Sequence, residues 1–226
     1  MNPLAERIDA VLARIDDAVT RRGPGPTVEL IAVSKRHEVG AISQAYAHGL
    51  RSFGENYAQE FAAKHDQFHA AEVRWHFIGG LQTNKVKLVV GRSLIHTVDR
   101  PRLVRAIDKR AAQLGIKQPV LLEVNFGEPQ KAGVSPDEAP SLLDEVDQCE
   151  HVTCEGLMTI PPVGPPEQTR RHFAALASLR ESLRGQHRAI ELPELSMGMS
   201  ADFEVAIEEG ATLVRIGTAI FGPRPS

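Results

Sequence analysis

At 226 residues the chain is long enough for one large hydrophobic core or two small ones. Its hydrophobic content of 42% and charged content of 24% are ordinary for a soluble globular protein, and a net charge of −3 with no basic block argues against a nucleic-acid partner. No apolar run is long enough to span a bilayer, the N-terminus lacks the basic start of a signal peptide, and Cys149 and Cys154 match neither a redox CxxC nor a zinc knuckle; the expectation is a reduced, cytoplasmic protein.

Along the chain, Leu4, Ile8, Val11, Leu12, Ile15 and Val19 share one helical stripe, and RRGPGPT stops that helix because Gly and Pro cannot continue it. Residues 28–35, VELIAVSK, read as an interior strand of a parallel sheet that ends in a lysine. A regular alternation follows. Helix 39–48 leads to strand 51–55, and Asn56 opens a helix to about Phe68. Strand 73–78 ends in Gly79-Gly80 ahead of a helix over 84–90. Strand 94–98 ends at Asp99, read as an N-cap before Pro101 in the first turn of helix 101–114, which Gly115 stops. Strand 119–125 and the loop FGEPQKAGVS precede a helix from Ser135 to about Gln148. Strand 153–160, helix 167–183, strand 194–197, helix 201–209, strand 212–216 and a short segment 218–221 complete the order.

Eight strands, each followed by helical sequence, imply a parallel sheet, and this chain length suits a single (β/α)8 TIM barrel. The alternative, an open doubly wound sheet, is disfavoured because no GxGxxG follows any strand. The expected organisation is one domain over 1–226, with an extra N-terminal helix over 1–22 covering the barrel bottom and the barrel over 28–222.

In such a barrel the carboxyl ends of the strands form one mouth. There the sequence collects Lys35, Asn56 of FGEN, His76 and Gly79 of WHFIGG, His96 and Asp99, Asn125, Met158 and Thr159 of GLMTI, the loop SMGMS, and Arg215, Gly217 and Thr218 of VRIGT. A desolvated lysine is the usual Schiff-base nucleophile. SMGMS precedes a helix that Ser200 would cap, and with IGT beyond the last strand it forms the expected phosphate cradle. Arg215 alternates with Leu213 and so points into the barrel, with Glu123 or another interior carboxylate as its partner. Lysine, phosphate cradle and inward arginine together fit pyridoxal phosphate. An arginine opposite the ring nitrogen cannot accept a proton, so it would leave the nitrogen neutral and weaken the electron sink. His65 and His69 have i, i+4 spacing, but HDQFH is not HExxH, so no metal site is assigned. Trp75 reads as barrel packing, and the two cysteines as buried small hydrophobes.

AVSK, FGENYAQE, WHFIGGLQTNK, GLMTI, LSMGMSADFEVAI and VRIGTAIFG, in this order from about Leu30 to Gly222, resemble the pyridoxal phosphate homeostasis protein family. The resemblance implies a barrel like the N-terminal domain of bacterial alanine racemases. It implies pyridoxal 5'-phosphate bound covalently to Lys35, phosphate contacts from Ser200, Gly217 and Thr218, and Arg215 near the ring nitrogen. Asn56 and Met199 complete the expected cofactor-binding set, and no catalytic residue is assigned. Members look like mostly monomeric proteins that buffer or deliver the cofactor, with apo-enzymes that need it as expected partners. One departure is Gly80, where the family motif has proline. Two enzymatic readings stand beside the carrier. An amino-acid racemase needs a second acid/base; no further domain is expected after Phe221 to supply one, which leaves His76 or Tyr57. A Schiff-base aldolase acting on a sugar phosphate would use the same lysine without cofactor.

Overall fold

The computed structural model describes residues 3–128, 130–162, 164–186 and 191–223. Val163, in the PPVGPP segment, and residues 187–190 lie outside the described residues. Eight strands close into a parallel barrel in sequence order: β1 (Glu29–Val33), β2 (Ser52–Glu55), β3 (Arg74–Phe77), β4 (Leu94–Val98), β5 (Gln118–Glu123), β6 (Val152–Met158), β7 (Glu194–Ser196) and β8 (Leu213–Ile216). The closing pair is β1 with β8, where Ile31 lies opposite Arg215 and Ala32 opposite Ile216. The helices are α1 (Pro3–Arg22), α2 (Val39–Ala47), α3 (Ala58–Gln67), α4 (Pro101–Leu114), α5 (Ala139–Asp147), α6 (Pro166–Gln186), α7 (Phe203–Glu208) and α8 (Thr218–Phe221). The predicted helix over 84–90 is instead a 3₁₀ turn, Thr83–Leu88.

The period-2 alternation of each strand splits the side chains into two sets. Outward residues such as Phe53, Trp75, Phe77, Val120 and Leu122 join the helices in the main core. Trp75 packs there as expected, its ring 5.9 Å from Phe53 and 5.8 Å from Phe61. The inward apolar set is small: Ile31, Leu121, Met158 and Leu213. Barrel interiors are ordinarily filled with branched aliphatic layers. Here much of the axis is polar instead, built from Ser52, His76, His96, Ser196 and Arg215, all buried.

The N-terminal helix does not cover the barrel bottom. It lies along the flank: Arg7 Nε donates to the Ile220 carbonyl of α8 at 2.6 Å, Arg14 pairs with Glu204 at 3.0 Å, and Arg21 pairs with Glu208 at the far end of α7 at 2.8 Å. The reason is geometric. At four residues, α8 is too short to shield its side of β8, and the apolar stripe Leu4, Ile8, Val11 and Ile15 of α1 fills that slot.

Two expected caps move. The N-cap of α4 is Arg100, with Pro101 in the first turn as predicted, and Asp99 pairs with the Arg100 guanidinium instead of the helix N–H groups. The N-cap of α7 is Asp202, not Ser200. Its carboxylate turns back to accept the Met199 N–H at 2.7 Å, closing the SMGMS loop on itself. Cys154 is buried, whereas Cys149 is only half-buried.

Candidate functional site

Lys35 lies two residues beyond β1, in the turn that leads to α2, and is half-buried. The backbone around it is tightly fixed. Ser34 N–H donates to the Gly54 carbonyl at 3.0 Å, and Arg36 adopts φ 63° while its N–H donates to Glu60 Oε1 at 2.5 Å. A non-glycine residue in the left-handed region costs about 1–3 kcal/mol and persists only where its surroundings enforce it. Beneath this turn sits a group that the sequence reading missed. Lys64 of α3, only 6% exposed, donates to Ser34 O at 2.7 Å, Glu55 Oε1 at 2.6 Å and Glu60 Oε1 at 2.7 Å. Ser34 Oγ also donates to Glu55 Oε1, at 2.7 Å. The Glu55 carboxyl is held above the usual carboxylate range by burial, with the Lys64 ammonium opposing. The signal for Lys64 was a lysine on the core-facing stripe of α3, in phase with Ala58 and Phe61.

Strand pairing brings the other mouth residues to the same quadrant. Gly217 follows β8 beside β1, and a Cβ there would lie 3.3 Å from the Val33 carbonyl oxygen. At Gly79 a Cβ would sit 2.0 Å from Asn56 O, so the end of β3 presses directly on the end of β2. The Asn56 side-chain Oδ1 is buried without a partner. Gly198, at φ +89°, has a virtual Cβ 2.6 Å from Ala206 Cβ and 2.8 Å from Phe203 Cα, so the SMGMS loop can run this close to α7 only with glycine. Met199 and Thr218 are exposed, and Ser200 and Gly217 half-buried.

Arg215 points inward, as the alternation predicts, and is 4% exposed. Its hydrogen-bond partners are neutral: Nη1 donates to Ser196 Oγ at 2.5 Å and Nη2 to the Thr159 carbonyl at 2.9 Å. The expected partner, Glu123, acts only through space. Burial pulls the guanidinium down to about 10, with Asp202 and Glu123 opposing, so it stays a cation at neutral pH. The Glu123 carboxyl is pushed up to about 7, first by burial and then by Asp99, against the pull of Arg215.

The Ser196 hydroxyl continues inward. His96 Nδ1 lies 2.8 Å from Ser196 Oγ, and His96 Nε2 lies 3.0 Å from His76 Nδ1. Arg215 donates to Ser196 Oγ, and we assign the hydroxyl proton to His96 Nδ1 as its acceptor. On that assignment His96 carries its proton on Nε2 and donates to His76 Nδ1, which leaves the His76 proton on Nε2. His96 is neutral, its pKa lowered well below the ordinary imidazole value by burial and then by His76 and Arg215. The run from Arg215 to His76 is thus a directed chain of donors along the barrel axis. It removes His76 from the mouth, because that imidazole is bonded to His96 and faces the opposite end. Tyr57, 46% exposed, lies beside Arg36, with the guanidinium 5.7 Å from its ring centre.

A sequence profile described as alanine racemase, N-terminal domain, matches residues 7–225. The pyridoxal phosphate homeostasis protein of Aquifex aeolicus is 47% identical over 223 residues, covering 97% of each chain. That of Pseudomonas aeruginosa is 42% identical over 228 residues, covering 99% of this chain and 97% of the relative. The chain belongs to the pyridoxal phosphate homeostasis protein family. Among solved structures, PipY of Synechococcus elongatus with PLP bound superposes with a TM-score of 0.85 at 37% identity, covering 97% of this chain and all of that one. The family assignment accounts for the long motifs around Lys35, Gly79, Gly198 and Gly217. At Gly80, where the resemblance implies proline, a Cβ would meet nothing within 4 Å, so the position faces open space.

Proposed function

We propose that this protein binds pyridoxal 5'-phosphate through a Schiff base to Lys35 and serves cofactor homeostasis, buffering the cofactor and delivering it to apo-enzymes, as a monomeric single-barrel protein of the cytoplasm. The observation that carries the reading is the full-length likeness to PipY with PLP bound, together with the donor set at the mouth. When bound, the cofactor supplies an electrophilic aldehyde and an electron-withdrawing ring. Lys35 supplies the amine at the end of β1, on a turn that the Ser34, Glu55, Glu60 and Lys64 network fixes. Ser200, Gly217 and Thr218 would hold the phosphate, with Met199 beside them. Asn56 offers its buried, unpartnered Oδ1. Arg215 would face the ring nitrogen as a cation that donates and never accepts a proton. Among the described residues no helix is long and apolar enough to cross a membrane, in keeping with this placement.

The exposed Met199, Thr218 and Tyr57 leave the mouth open, which suits a site that must release its cofactor. The test is the visible spectrum of the purified protein before and after borohydride reduction, followed by peptide mass analysis. The expected result is a band that vanishes on reduction, with a pyridoxyl mass fixed on Lys35 and absent from Lys35→Ala. A colourless protein that takes up no added pyridoxal phosphate overturns the cofactor reading. Transfer to an apo-enzyme no faster than free release overturns delivery while leaving binding intact.

A further inference from the structure

The lower end of the axial chain opens on a second site. Because α1 lies on the flank, the N-terminal face of the barrel carries a cavity of about 390 Å³ lined by Glu29, Arg74, His76, Arg92, Glu155 and Glu194. His76 is 4% exposed and its Nε2 has no hydrogen-bond partner; the nearest carboxylate oxygen, Glu29 Oε1, is 3.6 Å away. By the donor order assigned above, that nitrogen carries a proton, so a buried N–H faces the cavity without a hydrogen-bond partner, its contact with Glu29 Oε1 long at 3.6 Å. A buried donor left unpaired is costly, and native structures rarely leave one.

The charges around it are unevenly matched. Arg74 pairs with Glu29 at 3.1 Å, and Arg92 with Asp66 at 3.1 Å. Glu155 and Glu194 have no ion-pair partner among the described residues, and the Glu155 carboxyl is held above the usual range first by burial and then by Glu194. Glu155 is the extra residue of a β-bulge: Cys154 pairs with Val120 and Gly156 with Leu121, leaving Glu155 unpaired between them. Among the described residues, the Glu194 carboxylate accepts only the Thr212 hydroxyl.

We propose that this cavity binds a small ammonium compound carrying a neutral hydrogen-bond acceptor, such as an amino alcohol, with its ammonium between Glu155 and Glu194 and its acceptor oxygen on His76 Nε2–H. The acceptor is neutral because a second carboxylate would sit against Glu29. The site is independent of the cofactor reading.

The probe is N,N-dimethylethanolamine, whose tertiary amine cannot form an imine with a cofactor at the mouth. It is titrated into the full-length protein by calorimetry and by ¹⁵N spectra of the histidine rings. Saturable binding with a shift of the His76 Nε2 signal is expected, weakened at least tenfold in Glu155→Gln and in Glu194→Gln. Glu155→Gln is expected to melt higher than wild type without ligand, since it removes a half-buried carboxylate beside Glu194; a loss of fold would lower it. N,N-dimethylglycine, with a carboxylate in place of the hydroxyl, is expected to bind more weakly. Absence of binding, binding unchanged in the glutamine variants, or tighter binding of N,N-dimethylglycine overturns the proposal.

Discussion

Ser196→Ala removes the joint between Arg215 at the mouth and the His96–His76 pair. Arg215 Nη1 loses an acceptor at 2.5 Å, and His96 Nδ1 loses its donor at 2.8 Å. Both stranded groups are buried, at 4% and 0% exposure. A hydrogen bond to a charged group contributes about 1.5–3 kcal/mol, and an unpaired buried polar group costs about 1–3 kcal/mol. The loss of one oxygen atom adds little cavity volume. The expected destabilisation is therefore about 3–5 kcal/mol, a large share of the roughly 5–15 kcal/mol that holds a native domain. Urea unfolding of the cofactor-free proteins measures it as a lower midpoint at unchanged slope. Adding His96→Phe to the variant removes the orphaned imidazole, so the double substitution is expected to cost about 1–3 kcal/mol less than the sum of the singles. A loss under about 1 kcal/mol, additive with His96→Phe, would refute the connected chain.

Lys64→Met strands Glu55 in the core and is expected to cost about 3–5 kcal/mol near neutral pH. The loss is smaller at pH 5, where the stranded carboxyl takes up a proton; unfolding at the two pH values checks this. Glu123, raised from 4.5 to about 7, binds its proton more tightly in the folded state. Its contribution is fully present below the ordinary carboxylate pKa and lost as pH rises through 7, about 3 kcal/mol in all at about 1.4 kcal/mol per pH unit. Glu123→Gln is expected to flatten the decline of stability between pH 5 and 8, and an unchanged pH profile counts against the buried-carboxyl assignment. Gly80→Pro enters open space and restricts the unfolded chain, so it is expected to raise stability by about 0.4–1 kcal/mol in thermal melts.

The barrel was legible because each strand end coincides with a change of hydrophobic period. Arg215 was legible because alternation with Leu213 leaves it no other direction. What the sequence concealed depends on closure. His96 on β4 and Ser196 on β7 meet only across the axis, and no spacing along the chain encodes that distance. Glu155 escaped because the bulge at Cys154–Gly156 breaks the alternation on which strand reading rests. The position of α1 hinged on the brevity of α8, which leaves a helix-sized gap on the flank. Ser200 was a reasonable cap by residue type, but Asp202 stands closer to the first turn and also takes the Met199 N–H.

The polar axis and the mouth answer one physical problem. Arg215 is buried, and a carboxylate in contact would be the usual way to offset its desolvation. Such a partner would also cancel the positive field where an anionic ligand must sit. The structure braces the guanidinium with neutral acceptors instead, the Ser196 hydroxyl and the Thr159 carbonyl. The two interior carboxyls that act on it through space, Asp202 and Glu123, are both held above the usual carboxylate range by burial, Glu123 up to about 7. The hydroxyl accepts from Arg215 only because its own proton has a place to go, and His96 and His76 pass that demand on to the far face of the barrel. The two histidines thus let a buried cation stand at the mouth with no carboxylate in contact, and the His76 Nε2, without a hydrogen-bond partner, is where the chain ends.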